Sequence, residues 1–182
     1  MRKFDRLWAG EVDRIAQGVR LRVFQHTVEQ RGGYLSQACS SGQILGALYH
    51  GLMHLPPVDA PLLPDPWSGV PGPEHPARTG IKFNSNGLPG YDRFVLSPAQ
   101  YALVLYAVLI ETGRMDEHGM KDYNQDGSSV EMIGAEHSTG MEVTTGSLGQ
   151  GISQASGIAM GLRLKGETGR VFVFLSDGEC QS

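Results

Sequence analysis

Five consecutive apolar residues, Val171-Phe172-Val173-Phe174-Leu175, run straight into Ser176-Asp177-Gly178-Glu179. That junction constrains the fold more than any other stretch. An unbroken apolar run of strand length suits a strand buried on both faces, and such strands belong to parallel sheets covered by helices. In open sheets of that kind, ligands sit just outside the carboxyl ends of the strands. Asp177 falls there, with an oxygen to offer a hard divalent cation. Asp-Gly after a strand is also an ordinary turn, which is the competing reading. A cation held by one carboxylate needs further oxygens, and Ser182 is the last residue. The rest of such a site is therefore expected from outside the chain.

With 182 residues, 40% of them hydrophobic, the chain has enough material for one domain with a real core. A net charge of −4 gives no bias toward polyanions, so nucleic acid is not an expected partner. Cys39 and Cys180 are the only cysteines. They make neither a disulfide framework nor a zinc pattern, which points to a reducing, cytoplasmic setting. The N-terminus, Met1-Arg2-Lys3-Phe4-Asp5-Arg6, lacks the apolar segment of a signal peptide. No stretch approaches the ~18 apolar residues of a membrane span, so no membrane is expected either.

Helical periodicity predicts a long amphipathic helix over 4–30, with Leu7, Val12, Ile15, Val19 and Val23 on one face and Gly32-Gly33 as its stop. A second helix is expected over 41–54, with Ile44, Leu45, Leu48 and Leu52 together. Nine of the ten prolines lie between Pro56 and Pro89, so 55–90 reads as a long loop within the domain. Tyr91 to Leu96 reads as a strand. Ser97 and Pro98 then suit the N-cap and first turn of a helix that runs to about Thr112 and ends at Gly113. Residues 113–140 are polar and turn-rich. The segment Gly146-Ser147-Leu148-Gly149-Gln150-Gly151 leads into a helix to about Lys165, whose Gly151, Ala155, Ala159 and Gly161 form an unusually small face. Together these elements predict an α/β fold with a parallel sheet flanked by helices.

The glycine-rich loop before that helix could turn backbone N–H groups and a helix dipole toward an anion or polar ring. It matches neither the dinucleotide spacing nor a Walker loop, and a tight turn with small-residue packing explains it equally. His50 and His54 are four apart, but on an apolar helix such a pair reads as surface or packing. Trp8 and Trp67 read as packing residues, and Cys180 as an ordinary thiol.

Taken together, the segments resemble the N-terminal thiamine-diphosphate-binding domain of transketolases. Residues 141–151, Met-Glu-Val-Thr-Thr-Gly-Ser-Leu-Gly-Gln-Gly, resemble the family's glycine-rich cofactor loop. Ser176-Asp177-Gly178-Glu179 resembles the start of its G-D-G…N metal-diphosphate motif, with Ser in place of the first Gly. Tyr91-Asp92-Arg93-Phe94-Val95-Leu96-Ser97 resembles its D-R-F-V-L-S strand. The resemblance implies thiamine diphosphate and Mg²⁺ as cofactors and transfer of a two-carbon ketol unit from a ketose to an aldose. It also implies Asp177 as a metal ligand, Gly178 and Glu179 beside the diphosphate, and Gly146, Ser147 and Leu148 along the cofactor.

Two departures stand out. Tyr34 occupies the place of a family histidine before the second helix, and Gln100 the place of another at the third. Both family residues touch substrate or cofactor, so Tyr34 and Gln100 are expected near the substrate. Neither titrates like imidazole, which predicts a donor other than the usual ketose phosphates. A third family histidine has no aligned counterpart; His137 lies too close to the glycine-rich loop. The motif's Asn and the domain carrying the activating glutamate lie beyond Ser182. The chain is thus expected to be the N-terminal part, residues 1–182, of a larger or two-subunit enzyme. It would be a fragment or truncated gene product, inactive alone, partnered by a C-terminal transketolase subunit or domain in a homo- or hetero-oligomer. Two alternatives share parts of the pattern: a non-catalytic remnant or interaction module, and the E1 subunit of a 2-oxo-acid dehydrogenase. The glycine-rich loop favours transketolase over the latter.

Overall fold

The computed structural model describes residues 6–181. Met1 to Asp5 and Ser182 lie outside the described residues, and with them the start of the first expected helix and most of the charged N-terminus. The first helix, α1, spans Arg6–Gln30 and turns Val12, Ile15, Ala16, Val19, Val23 and His26 inward, the spacing of one helix stripe. Leu7, expected on that face, is 84% exposed. It precedes Val12 by five residues, roughly 140° around a helix of 3.6 residues per turn.

The second helix starts and ends earlier than its leucines predict. α2 spans Leu35–Ala47 and passes into one wide turn, Leu48–Leu52, with Gly51 at φ 141°. Its buried residues are Ala38, Ser41, Gly42, Leu45 and Gly46, while Ile44 is 54% exposed. Small residues form the inner face because α1 lies close. A Cβ at Gly46 would stand 3.2 Å from Ile15 Cγ2. The wide turn changes the residues per turn, which leaves Leu48 and Leu52 only half-buried.

At the centre is α3 (Ala102–Glu111), with every residue from Ala102 to Leu109 buried. A helix apolar all round has to be enclosed, and α1 and α2 both pack on it. It does not begin at Ser97. A 3₁₀ turn, Ala99–Tyr101, intervenes, and the Ser97 hydroxyl is engaged elsewhere.

The fold is α/β. Strands β1 (Arg93–Leu96) and β2 (Val171–Phe174) pair in parallel, with Arg93 opposite Val171 and Leu96 opposite Phe174. The helix α4 (Gln150–Leu164) packs on both strands. β1 is shorter than the run Tyr91 to Leu96 suggests because Asp92 serves as a brace. Its buried carboxylate accepts from the backbone N–H of His54 (2.7 Å) and Arg170 (2.8 Å) and from the Arg170 guanidinium (2.7 Å).

The proline-rich stretch has no long element, only a 3₁₀ turn, Gly80–Phe83, and a bridge from Leu62 to Met115. It is nonetheless held down. Buried Arg114 donates to the carbonyls of Phe83 (2.6 Å), Asn84 (2.9 Å) and Pro56 (3.2 Å). Trp67 is 43% exposed and lies on the His137 ring at 5.9 Å. The His50/His54 pair does not share a helix face. The chain becomes extended at Met53, His50 stacks on Trp8 at 6.4 Å, and the His54 ring meets the Gly90 carbonyl at 3.3 Å.

Candidate functional site

The carboxyl ends of both strands converge on the glycine-rich loop. The Ser97 N–H donates to the Phe174 carbonyl (3.0 Å), which ties the end of β1 to the end of β2. The Thr145 hydroxyl donates to the Leu96 carbonyl (2.6 Å) and brings the loop to the same edge. Ser97, fully buried, is the hub. Its hydroxyl donates to Glu179 Oε1 (2.5 Å) and accepts from the N–H of Gly151 (3.1 Å) in the first turn of α4. Close approach demands glycine at 151, since a Cβ there would lie 2.4 Å from Ser97 Cβ. Gly149, with φ 74°, makes the left-handed step into α4.

Glu179 closes this arrangement. Its second oxygen accepts from the N–H (2.8 Å) and hydroxyl (3.1 Å) of Ser176. Burial alone would raise its pKa. Hydrogen bonds from Ser176, Ser97 and the Gly149 N–H outweigh that and hold it below the ordinary glutamate value. The carboxylate is therefore charged, and it caps the start of α4 from within the protein. Glu179 thus lies between the glycine-rich loop and the 176–178 turn, with its side chain facing inward.

Another buried carboxylate positions the stretch leading to the loop. Glu142 accepts from Arg93 Nε (2.5 Å), the Phe94 N–H (2.9 Å) and Asn84 Nδ2 (3.3 Å). The Tyr49 hydroxyl in turn donates to Asn84 Oδ1 (2.8 Å). Here burial wins: it pushes the Glu142 carboxyl above its ordinary value, against the pull of Arg93 and the hydrogen bonds.

Around this buried frame the other expected site residues lie at the surface. Gly146, Ser147 and Leu148 are exposed, as are Asp177 and Gly178. The Glu179 bonds to Ser176 and Gly149 bring the two exposed turns together. A Cβ at Gly178 would meet nothing, so the backbone there is open to a ligand. The backbone N–H groups of Ser147, Leu148 and Asp177 find no acceptor among the described residues. Open glycine backbone and available donors fit the diphosphate of the implied cofactor. For Mg²⁺, Asp177 can supply one oxygen. Among the described residues no group of three His, Cys, Asp or Glu could hold a metal, so Asp177 would have to be joined by oxygens of another kind, such as those of the diphosphate, backbone carbonyls or water.

Tyr34 is half-buried at the start of α2, and Gln100 is half-buried in the turn before α3. One loop reaches toward both. The Gly134 N–H donates to the carbonyl of Ala99, next to Gln100 (3.3 Å), while Met132 and Gly33, next to Tyr34, line one cavity. The Gly146 backbone also approaches Ala99, at 3.5 Å for a built Cβ. Sequence reasoning assigned Ser97 to a helix cap and gave no part to Thr145, Glu142 or Arg93. All four lie inside the quoted motifs, but their partners are 48 to 82 residues away in sequence.

An open parallel sheet whose strand ends meet a glycine-rich loop before a helix defines an α/β ligand-binding domain. Residues 81–177 match the family model for the transketolase thiamine diphosphate binding domain, and the chain belongs to that family. The transketolase family protein y4mO of Sinorhizobium fredii is 44% identical over 91 residues, covering 50% of this chain and 33% of the relative. Transketolase-like protein 2 of Homo sapiens is 28% identical over 165 residues, covering 90% of this chain and 22% of the relative. A solved transketolase variant from Pichia stipitis shares the fold at TM-score 0.71 and 22% identity, over 95% of this chain and 23% of its own. A transketolase from Campylobacter jejuni does so at TM-score 0.70 and 19% identity, over 95% and 24%. The chain spans 33% of the length of the first of these curated relatives and 22% of the second. Among the described residues no helix is long and apolar enough to cross a membrane.

Proposed function

We propose that this chain is the N-terminal, cofactor-binding portion of a cytoplasmic transketolase-like enzyme. It would transfer a two-carbon ketol unit from a ketose to an aldose with thiamine diphosphate and Mg²⁺, and act only with a C-terminal transketolase subunit or domain. The observation that carries the reading is the meeting of the glycine-rich loop, the 176–179 turn and both strand ends around Ser97 and Glu179. Thiamine diphosphate, when bound, would supply a ring carbon that is nucleophilic once deprotonated and an electron sink for the C–C bond that breaks.

The chain's own part is binding and orientation. Gly146, Ser147 and Leu148 line the cofactor, Gly178 lets the diphosphate approach its backbone, and Asp177 gives Mg²⁺ an oxygen. Glu179 lies beside the diphosphate as the brace that fixes both turns. Tyr34 and Gln100 flank the substrate with neutral hydrogen-bonding groups.

The test is reconstitution with a C-terminal partner and a panel of ketose donors. The pair is expected to turn over a donor other than a ketose phosphate best, since each lost charge-assisted bond is worth about 1.5–3 kcal/mol. Asp177→Ala should abolish turnover and cofactor affinity without changing circular dichroism. Near-normal turnover in that variant sinks the metal assignment. Micromolar thiamine diphosphate binding by the isolated chain removes the need for a partner.

A further inference from the structure

We propose that the C-terminal end of α1 carries a second small-molecule site, for an uncharged polyhydroxylated ligand such as a free sugar or polyol, built on His26 and Tyr123. Two adjoining cavities, of about 380 Å³ and 230 Å³, share His26, Gln30, Tyr123 and Gln125 as lining residues. His26 is 8% exposed, and its ring meets the Tyr123 ring edge-on at 4.3 Å. His26 Nε2 and the Tyr123 hydroxyl are both shielded from solvent, and neither has a hydrogen-bond partner among the described residues. Buried polar atoms are nearly always paired. Two unsatisfied ones side by side, each able to donate or accept, mark a place that an incoming group completes.

The surroundings select the class of that group. Arg22, the arginine that lines the larger cavity, is already engaged by Glu111 at 2.9 Å. Glu29 and Lys121 add one charge of each sign, so no cationic cluster is left for a phosphate. Burial lowers the His26 pKa, against the pull of Glu29, which keeps the imidazole neutral at pH 7. The remaining polar lining is amide, from Gln25, Gln30, Asn124 and Gln125. Amides, a neutral imidazole, a phenol and an aromatic face are the groups that hold hydroxyls and C–H faces of sugars. Gln30 and Gln125 are long and unbranched, so rotamer changes suffice to admit a hydroxyl to the two shielded atoms. The site involves neither Asp177 nor the glycine-rich loop; its smaller cavity is the one that Gly33, next to Tyr34, also lines, and its test needs no cofactor.

The experiment uses the full 182-residue chain, labelled with ¹⁵N in its histidine rings and titrated with sorbitol and, separately, sorbitol 6-phosphate. Sorbitol is expected to move the His26 ring signals saturably in the millimolar range, and the phosphate ester to bind no more tightly. Tyr123→Phe, which removes only the hydroxyl, should weaken sorbitol about tenfold with circular dichroism unchanged. Shifts that never saturate, unchanged affinity in Tyr123→Phe, or a phosphate ester binding about tenfold tighter than sorbitol each overturn the proposal.

Discussion

Helices α3 and α4 are held by opposite means. In α3, the residues from Ala102 to Leu109 are all buried, and its place is set by apolar contact with α1 and α2. In α4, fifteen residues long, only Gly151, Ala155 and Leu162 are buried. Leu148, Ile152, Met160 and Leu164 around it are 64%, 48%, 67% and 81% exposed. Its first turn is fixed by directional bonds from Ser97 and Glu179 instead. One side of the molecule is thus a finished core. The other is a polar clamp that holds a helix with an apolar outer surface, of the kind a protein partner covers. That contrast supports the proposed C-terminal partner, and it can be broken by mutation.

The largest effect belongs to the core. Leu105→Ala in α3 should cost roughly 2–5 kcal/mol of global stability, read as a lower midpoint in urea unfolding. A loss below about 1 kcal/mol would mean that α3 is not the enclosed centre described.

Next comes the clamp. Ser97→Ala leaves the Gly151 N–H and one Glu179 oxygen without their shared partner, at a cost of about 1–3 kcal/mol. The loss should be local: amide exchange at Gly149 and Gly151 quickens more than exchange within α3. Uniform quickening across both helices would erase the distinction.

Two of the buried carboxylates, Glu179 and Glu142, give opposite signs with pH. Glu179 titrates lower folded than unfolded. Its stabilising contribution is present above the ordinary glutamate value of 4.5 and is lost as pH falls through the folded value. Glu142 titrates higher folded than unfolded, so its contribution is fullest in acid and declines as pH rises from 4.5 through the folded value. Urea midpoints from pH 3 to pH 7 should therefore rise less steeply in Glu179→Gln than in the parent, and more steeply in Glu142→Gln. The same slope in both variants would refute the assignment.

The smallest effect is on the outer face of α4. Met160→Ser should change stability by less than about 0.5 kcal/mol in the isolated chain and should weaken association with the C-terminal partner. Unchanged association would place the partner elsewhere.

Much of this was legible in the residues. The stretches 91–96 and 171–175 read as strands and contain the paired β1 and β2, the spacing of Val12, Ile15, Val19 and Val23 gave α1, and the stop at Gly113 gave the end of α3. The order of the three motifs pointed to the family. Local pattern failed where side chains act at a distance. Ser97 has the look of a helix cap because capping is a local habit of serine, yet its hydroxyl bridges Gly151 and Glu179. Ile44 has the look of a core residue, yet glycine and serine face α1 because close helix packing rewards small volume rather than hydrophobicity. Asp177 and Glu179 read alike as acidic turn residues. Only the folded chain separates them, turning one to solvent and burying the other under four donors. Composition and period determine which segments are helix or strand, since those follow from each residue's own backbone and burial preferences. Which polar groups meet across 50 or 80 residues was decided by tertiary packing, because a hydrogen bond depends on angle and distance that no local pattern encodes.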